Sequence, residues 1–76
     1  MARIEVESEV SGNVWKIEKQ VGDSVAEEDV IMILESMKME IPVEAPAAGK
    51  LVELLVKEED QITEDQVVAV IEANDP

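Results

Sequence analysis

The chain has 76 residues with no cysteine and no histidine, which excludes disulfides, thiolate metal sites and histidine-based catalysis. Its formal net charge of −13 makes nucleic acid and anionic membranes poor partners, and we assign that charge chiefly to solubility. Valine and isoleucine together number 19 against 4 leucines. Because stiff, β-branched side chains suit pleated sheets, the composition predicts an all-β domain.

The N-terminal residues alternate polar and apolar character and do not form the apolar core of a signal peptide. The longest apolar runs, Val30–Leu34 and Val67–Ile71, are too short to span a bilayer. We therefore expect a cytoplasmic protein that does not enter a membrane. The initial Met and the lack of an Ala/Pro-rich linker favour a complete small protein.

The sequence repeats itself after a shift of 37 positions, without a gap. The matching units cover about residues 3–35 and 40–72, and their matched pairs include Gly12 with Gly49, Asp23 with Asp60, and Glu35 with Glu72. A long period present twice indicates two similar units that share one core. We therefore expect residues 1–76 to form a single domain.

Each unit has the pattern strand, turn, short strand, strand. In the first unit, the longer strands are predicted at Ile4–Glu7, Gly12–Lys19 and Val30–Leu34, with a turn at Gly22-Asp23. The apolar residues around Trp15 break strict alternation, which indicates a bulge or burial on both faces. The continuous apolar run Val30–Leu34 is typical of a strand buried on both sides.

The second unit repeats this order. Its strands are predicted at Ile41–Glu44, Gly49–Lys57 and Val67–Glu72, with a turn at residues 58–60. One helical turn is the most that Gln61–Gln66 could form, and Pro42 and Pro46 interrupt any helix through the middle of the chain. The predicted architecture is a flattened β-barrel or sandwich of two four-stranded antiparallel sheets, related by pseudo-twofold symmetry.

The segment Glu35–Glu40 joins the two units and is predicted to be a hairpin tip with Lys38 at its apex. Met37 and Met39 flank this lysine at positions where turns favour Gly, Asn, Asp and Ser. From spacing alone, the two methionines could instead fill gaps in the core, beside an ordinary solvated lysine. The serines have no histidine to activate them, and the acidic clusters lack the spacing of a calcium loop, so we predict no catalytic residue and no metal site.

The sequence Leu34-Glu35-Ser36 followed by Met37-Lys38-Met39 resembles the attachment hairpin of biotinyl domains in the biotin/lipoyl family. The segment Val43–Leu51 resembles the strand that follows this hairpin, and residues 12–25 resemble the first half of the family fold. The resemblance covers essentially the whole chain. Met-Lys-Met alone would be a weak motif, but here it lies midway between two matching repeats and is followed by Ala-Pro-x-x-Gly.

The resemblance implies a barrel-sandwich fold and a biotin carboxyl carrier in which a biotin protein ligase joins biotin to Lys38. A biotin carboxylase would load the cofactor and a carboxyltransferase would unload it, while this domain, a monomer, would catalyse neither step. It also implies that the residues around the lysine serve recognition by these enzymes: Glu35, Ser36, Met37, Met39 and Glu40.

Two alternatives remain open in the sequence. A lipoyl-type acyl carrier, or a protein that accepts both biotin and lipoate, would share the fold and the lysine. Lipoyl hairpins usually have Asp before the lysine and a small or β-branched residue after it, unlike Met37 and Met39. An unmodified structural module would not need Lys38. One departure from the family pattern is Glu59, which stands where the first repeat has Gly22, so the geometry of the second turn could differ.

Overall fold

The computed structural model describes residues 2–73, which form eight β-strands and no helix. The described residues contain no helix that is long and apolar enough to cross a membrane. The strands in chain order are β1 (Arg3–Glu7), β2 (Gly12–Ile17), β3 (Ser24–Val25), β4 (Val30–Ser36), β5 (Met39–Glu44), β6 (Gly49–Leu54), β7 (Gln61–Ile62) and β8 (Val67–Ala73).

The strands form two four-stranded antiparallel sheets, with the orders β1-β8-β6-β3 and β5-β4-β2-β7. This arrangement confirms the predicted fold class. Each repeat contributes strands to both sheets, so neither half can complete a sheet alone. The core between the sheets is almost entirely aliphatic, and its most deeply buried large side chains are Ile31, Met32, Leu34, Leu51, Ile62 and Ile71.

Strand β2 carries a bulge, which is one of the two explanations for its broken alternation. Its register with β4 passes from Val14 opposite Leu34 to Lys16 opposite Ile33, so Trp15 has no partner in the ladder. The extra residue turns outward, and Trp15 is 50% exposed. The same irregularity recurs at Val52 in β6, which is 37 positions later.

Hydrogen bonds in the turns also recur after 37 positions. The N–H of Gly22 donates to the carbonyl oxygen of Leu51 at 2.8 Å, and the N–H of Glu59 donates to that of Val14 at 2.8 Å. A carboxylate oxygen of Asp23 accepts from the N–H three residues before it at 2.8 Å, as the equivalent carboxylate, Asp60, does at 3.0 Å. The second turn therefore has the geometry of the first, despite Glu59.

The sequence allows Gln61–Gln66 one helical turn at most, and the structure forms no helix there. Strand β7 begins this segment, and Asp65 has a φ of 70°, outside the right-handed helical region. The side-chain oxygen of Gln66 accepts a hydrogen bond from the N–H of Thr63 at 2.9 Å. This bond closes a tight turn, as the carboxylate of Asp29 does in the first repeat.

Strands β2 and β6 end at Ile17 and Leu54, three residues or fewer before the predicted ends at Lys19 and Lys57. The N–H groups of Glu18 and Lys19 both donate to the carbonyl oxygen of Ile31, at 2.8 and 3.1 Å. Two successive donors on one acceptor cannot continue a regular ladder, and the chain turns away at that point.

Candidate functional site

The hairpin between β4 and β5 has a turn of only two residues. Ser36 opposite Met39 is the last pair of the ladder, so the turn consists of Met37 and Lys38. Their φ angles are 50° and 67°, the signs required at both central positions of a type I′ turn. Such turns favour Asn and Gly, and the left-handed region costs about 1–2 kcal/mol for each residue with a Cβ. The sequence therefore keeps two strained residues at this tip.

The predicted tip over Glu35–Glu40 is thus narrower than the sequence indicated, because four of its six residues belong to strands. Lys38 is confirmed at the apex and is exposed. Met37 is 92% exposed and Met39 is 63% exposed, whereas Met32 in the same hairpin is fully buried. The alternative that Met37 and Met39 fill gaps in the core is therefore wrong.

Two carboxylates bracket the tip. Glu35 lies directly opposite Glu40 in the ladder, and both side chains are exposed. Like charges in opposed positions are unfavourable, and within residues 2–73 neither forms an ion pair that would offset this. Lys38 likewise makes no ion pair with any side chain in this part of the molecule. Its amine is free to be approached from solvent.

Ser36 differs from the other predicted recognition residues because its hydroxyl faces the domain. It donates a hydrogen bond to the carbonyl oxygen of Ser11 at 2.7 Å and is half-buried. The hydroxyl of Ser11 in turn accepts from the N–H of Glu64 at 3.1 Å. These bonds tie the stem of the lysine hairpin to the loop before β2 and to the turn after β7.

Gly12 lets β2 begin very close to that stem. A Cβ at this position would lie 2.5 Å from the carbonyl oxygen of Glu35, which is far inside van der Waals contact. Gly49 is the equivalent in the second repeat, where a Cβ would lie 2.3 Å from the carbonyl oxygen of Glu72. The two glycines are therefore required by close backbone approach.

Sequence reasoning did not identify Ser8 or Ser11 as supports of this region. Ser8 is almost fully buried, and its hydroxyl donates to the carbonyl oxygen of Val10 at 2.6 Å. A difference between the repeats could have identified these two serines, because the equivalent residues of the second repeat are Ala45 and Ala48.

The arrangement presents one primary amine at the tip of the β4–β5 hairpin. No group of three acidic side chains within residues 2–73 is placed to hold a metal ion. The geometry suits a lysine that another protein modifies.

Comparison with protein-family models gives a match over residues 4–71 to the family described as "Biotin-requiring enzyme". The chain is 40% identical over 63 residues to the biotin/lipoyl attachment protein of Bacillus subtilis, covering 83% of this chain and 86% of that protein. It is 39% identical over 67 residues to the biotinylated protein TB7.3 homolog of Mycobacterium leprae, covering 88% and 94%.

Similarity extends to much larger proteins. The chain is 44% identical over 68 residues to a probable dihydrolipoyllysine-residue succinyltransferase component of the 2-oxoglutarate dehydrogenase complex of Schizosaccharomyces pombe, covering 90% of this chain and 15% of that protein. The crystal structure of Kluyveromyces lactis urea carboxylase superposes with a TM-score of 0.88 at 37% identity, over 93% of this chain and 6% of the carboxylase. The chain therefore matches one small part of each.

Proposed function

Because this chain belongs to the biotin/lipoyl attachment family, we propose that it is a biotin carboxyl carrier whose Lys38 holds biotin in an amide bond. The observation that carries the proposal is the position of Lys38, exposed at the apex of a two-residue turn between two matching repeats. Family membership explains why a strained turn holds a lysine and a methionine where Asn and Gly would be more stable.

The other lysines are less suited to the same modification. Lys16 and Lys50 lie within strands, and Lys19 and Lys57 each lie beside the end of one. Lys16 and Lys19 are also 3.9 Å from the carboxylates of Glu18 and Asp29. If the ligase requires its target lysine at the tip of a hairpin, only Lys38 meets that requirement.

Attachment requires a biotin protein ligase that supplies biotinyl-adenylate. The neutral Nζ of Lys38 attacks the acyl carbonyl, an amide bond forms, adenylate leaves, and the amine proton passes to the ligase or to solvent. The hairpin contributes position, since the two-residue turn places the lysine beyond the last strand pair and the Ser36 hydrogen bond anchors the stem. The methionines and carboxylates around it, Met37, Met39, Glu35 and Glu40, provide the surface that the ligase recognises.

Attached biotin would supply the ring that accepts and releases a carboxyl group. We propose that a biotin carboxylase and a carboxyltransferase act on it in turn, while this domain keeps it close to both active sites. Tethering provides an effective concentration that can reach the millimolar range. Met37 and Met39 suit this role because flexible thioether side chains adapt to several partner surfaces. The similarity to a urea carboxylase supports a carboxylase system.

Lipoate on the same lysine is the second candidate. It is supported by the similarity to a dihydrolipoyllysine-residue succinyltransferase component. The biotinylated protein of Mycobacterium leprae and the residues Met37 and Met39 favour biotin.

Intact-mass measurement of the protein purified from its native host tests the choice of cofactor. We expect a single adduct with the mass of biotin, located on the peptide that contains Lys38. A lipoyl adduct would replace the proposal with the second candidate. An unmodified chain from cells in which other biotin proteins are fully biotinylated would contradict both.

A further inference from the structure

An open recess of about 570 Å³ lies on the outer side of the sheet that carries the lysine hairpin. It is lined by Asn13, Val14, Trp15, Glu35 and Glu59, and we name it the Trp15 recess. Its residues come from β2, from the stem of the hairpin, and from the turn between β6 and β7. None of them has a role in the function proposed above except Glu35.

Trp15 is unusual in this chain. It is the only aromatic residue, and the bulge in β2 places it on the surface with half of its area in water. The equivalent residue of the second repeat is the smaller Val52, so the fold does not need an aromatic side chain at this bulge. An exposed indole offers a flat apolar surface with one polar N–H, and tryptophan is enriched at binding interfaces for this reason.

The recess lies within reach of a group attached to Lys38. Glu35 precedes Lys38 by three residues, and three residues span no more than about 11 Å even when fully extended. Asn13 lies opposite Glu35 on the adjacent strand. A lysine side chain extended by the arm of biotin contains about eleven bonds and spans roughly 14 Å. The ring can therefore fold back along β4 and reach Trp15.

The polar groups of the recess match the head group of biotin. The ureido ring offers two N–H donors and one carbonyl acceptor, which suit the carboxylate of Glu35 and the side-chain amide of Asn13. Its thioether can contact the indole of Trp15. The carboxylates of Glu35 and Glu59 also make the recess suitable for an uncharged ring and unfavourable for a negatively charged one.

We propose that the Trp15 recess is an intramolecular resting site for the ring of biotin attached to Lys38. This inference rests on the function proposed above. Because the ring is tethered, a weak site is sufficient. At an effective concentration of a few millimolar, a site with a dissociation constant of about 1 mM is occupied most of the time. Such a site releases the ring easily to a partner enzyme.

Trp15 is also the only fluorophore among the side chains, so it reports directly on the recess. We compare the unmodified and fully biotinylated forms of the full chain, each verified by intact mass, by tryptophan emission and acrylamide quenching. Biotinylation should shift the emission to shorter wavelength and reduce the quenching constant roughly twofold, as expected for a tethered ring that covers the indole most of the time. Asn13→Ala and Glu35→Gln should each restore part of the quenching.

A matched control moves the reporter to the other repeat. The Trp15→Val/Val52→Trp double variant keeps one indole at the equivalent bulge, in the sheet without the lysine hairpin, and its emission should not respond to biotinylation. Unmodified protein mixed with an equal concentration of free biotin should also show no change. A biotinylated parent whose emission and quenching equal those of the unmodified form would overturn the resting site alone. Failure of the ligase to modify Lys38 would instead show as an unmodified mass and would overturn the proposed function.

Discussion

Glu59 adopts in the second repeat the left-handed backbone conformation that Gly22 adopts in the first. The φ angle of Glu59 is 76° and that of Gly22 is 102°. The N–H of Glu59 donates to the carbonyl oxygen of Val14 at 2.8 Å, and the N–H of Gly22 donates to that of Leu51 at 2.8 Å, in each case just before the bulge of the other repeat. The hydrogen bond fixes the conformation in both places. At one of them the chain has a residue with a Cβ, which this conformation disfavours.

Glu59→Gly should therefore stabilise the domain. Relief of about 1–2 kcal/mol of backbone strain exceeds the roughly 0.4–1 kcal/mol lost through the more flexible unfolded chain. A net gain of about 0.5–1 kcal/mol corresponds to a rise in Tm of roughly 2–8 °C for a domain of this size. Gly22→Ala is the matched control, since nothing lies within 4 Å of its added Cβ, and it should lower Tm by a similar amount. A fall in Tm for Glu59→Gly would show that the carboxylate side chain stabilises this turn.

The two methionines that flank Lys38 should be dispensable for folding. Because both are exposed, the Met37→Ala/Met39→Ala double variant should lose less than about 1 kcal/mol of unfolding free energy. Met32→Ala, which truncates a fully buried methionine, should lose about 2–5 kcal/mol and provides the core reference. The double variant should nevertheless be biotinylated more slowly by a ligase in a timed assay. If the double variant is biotinylated and takes part in carboxyl transfer at wild-type rates, Met37 and Met39 have no role in recognition.

Substitution of Gly12 and of Gly49 by Ala distinguishes an effect on folding from an effect on modification of Lys38. Ala at either site forces a backbone carbonyl to move, so Gly12→Ala and Gly49→Ala should each destabilise the domain by about 1–3 kcal/mol. The carbonyl displaced by Gly12→Ala belongs to Glu35 in the stem of the lysine hairpin, whereas Gly49→Ala acts on the other sheet. Only Gly12→Ala should slow biotinylation at a temperature where both variants are folded. Equal slowing would mean that the rate follows global stability.

The opposed carboxylates Glu35 and Glu40 should make the hairpin less stable than it could be. Replacing one of two like charges by an opposite charge, as in Glu40→Lys, should raise the unfolding free energy by about 0.2–1 kcal/mol. The gain should shrink in 1 M salt, where the screening length is about 3 Å. Chemical denaturation in urea at low and high salt measures both effects. A gain independent of salt would mean that the effect is not electrostatic.

Much of the fold follows from the sequence because the 37-residue repeat fixes the order of the strands. The bulge at Trp15 and the apical position of Lys38 were also predictable, since both break a regular pattern. The two-residue turn was not, because Met37 and Lys38 are residues that local preference excludes from positive φ. The tight turn within Gln61–Gln66 was not predictable either, because the hydrogen bond from the backbone N–H of Thr63 to the side-chain oxygen of Gln66 decides the local conformation.

We predict that Lys38 alone receives biotin, and coexpression of the chain with a biotin protein ligase is the test. Intact mass and streptavidin binding are measured for the parent and for Lys38→Arg, which keeps the positive charge. We expect one biotin on the parent and none on the variant. Biotin on Lys38→Arg, or none on a folded parent exposed to an active ligase, would contradict it.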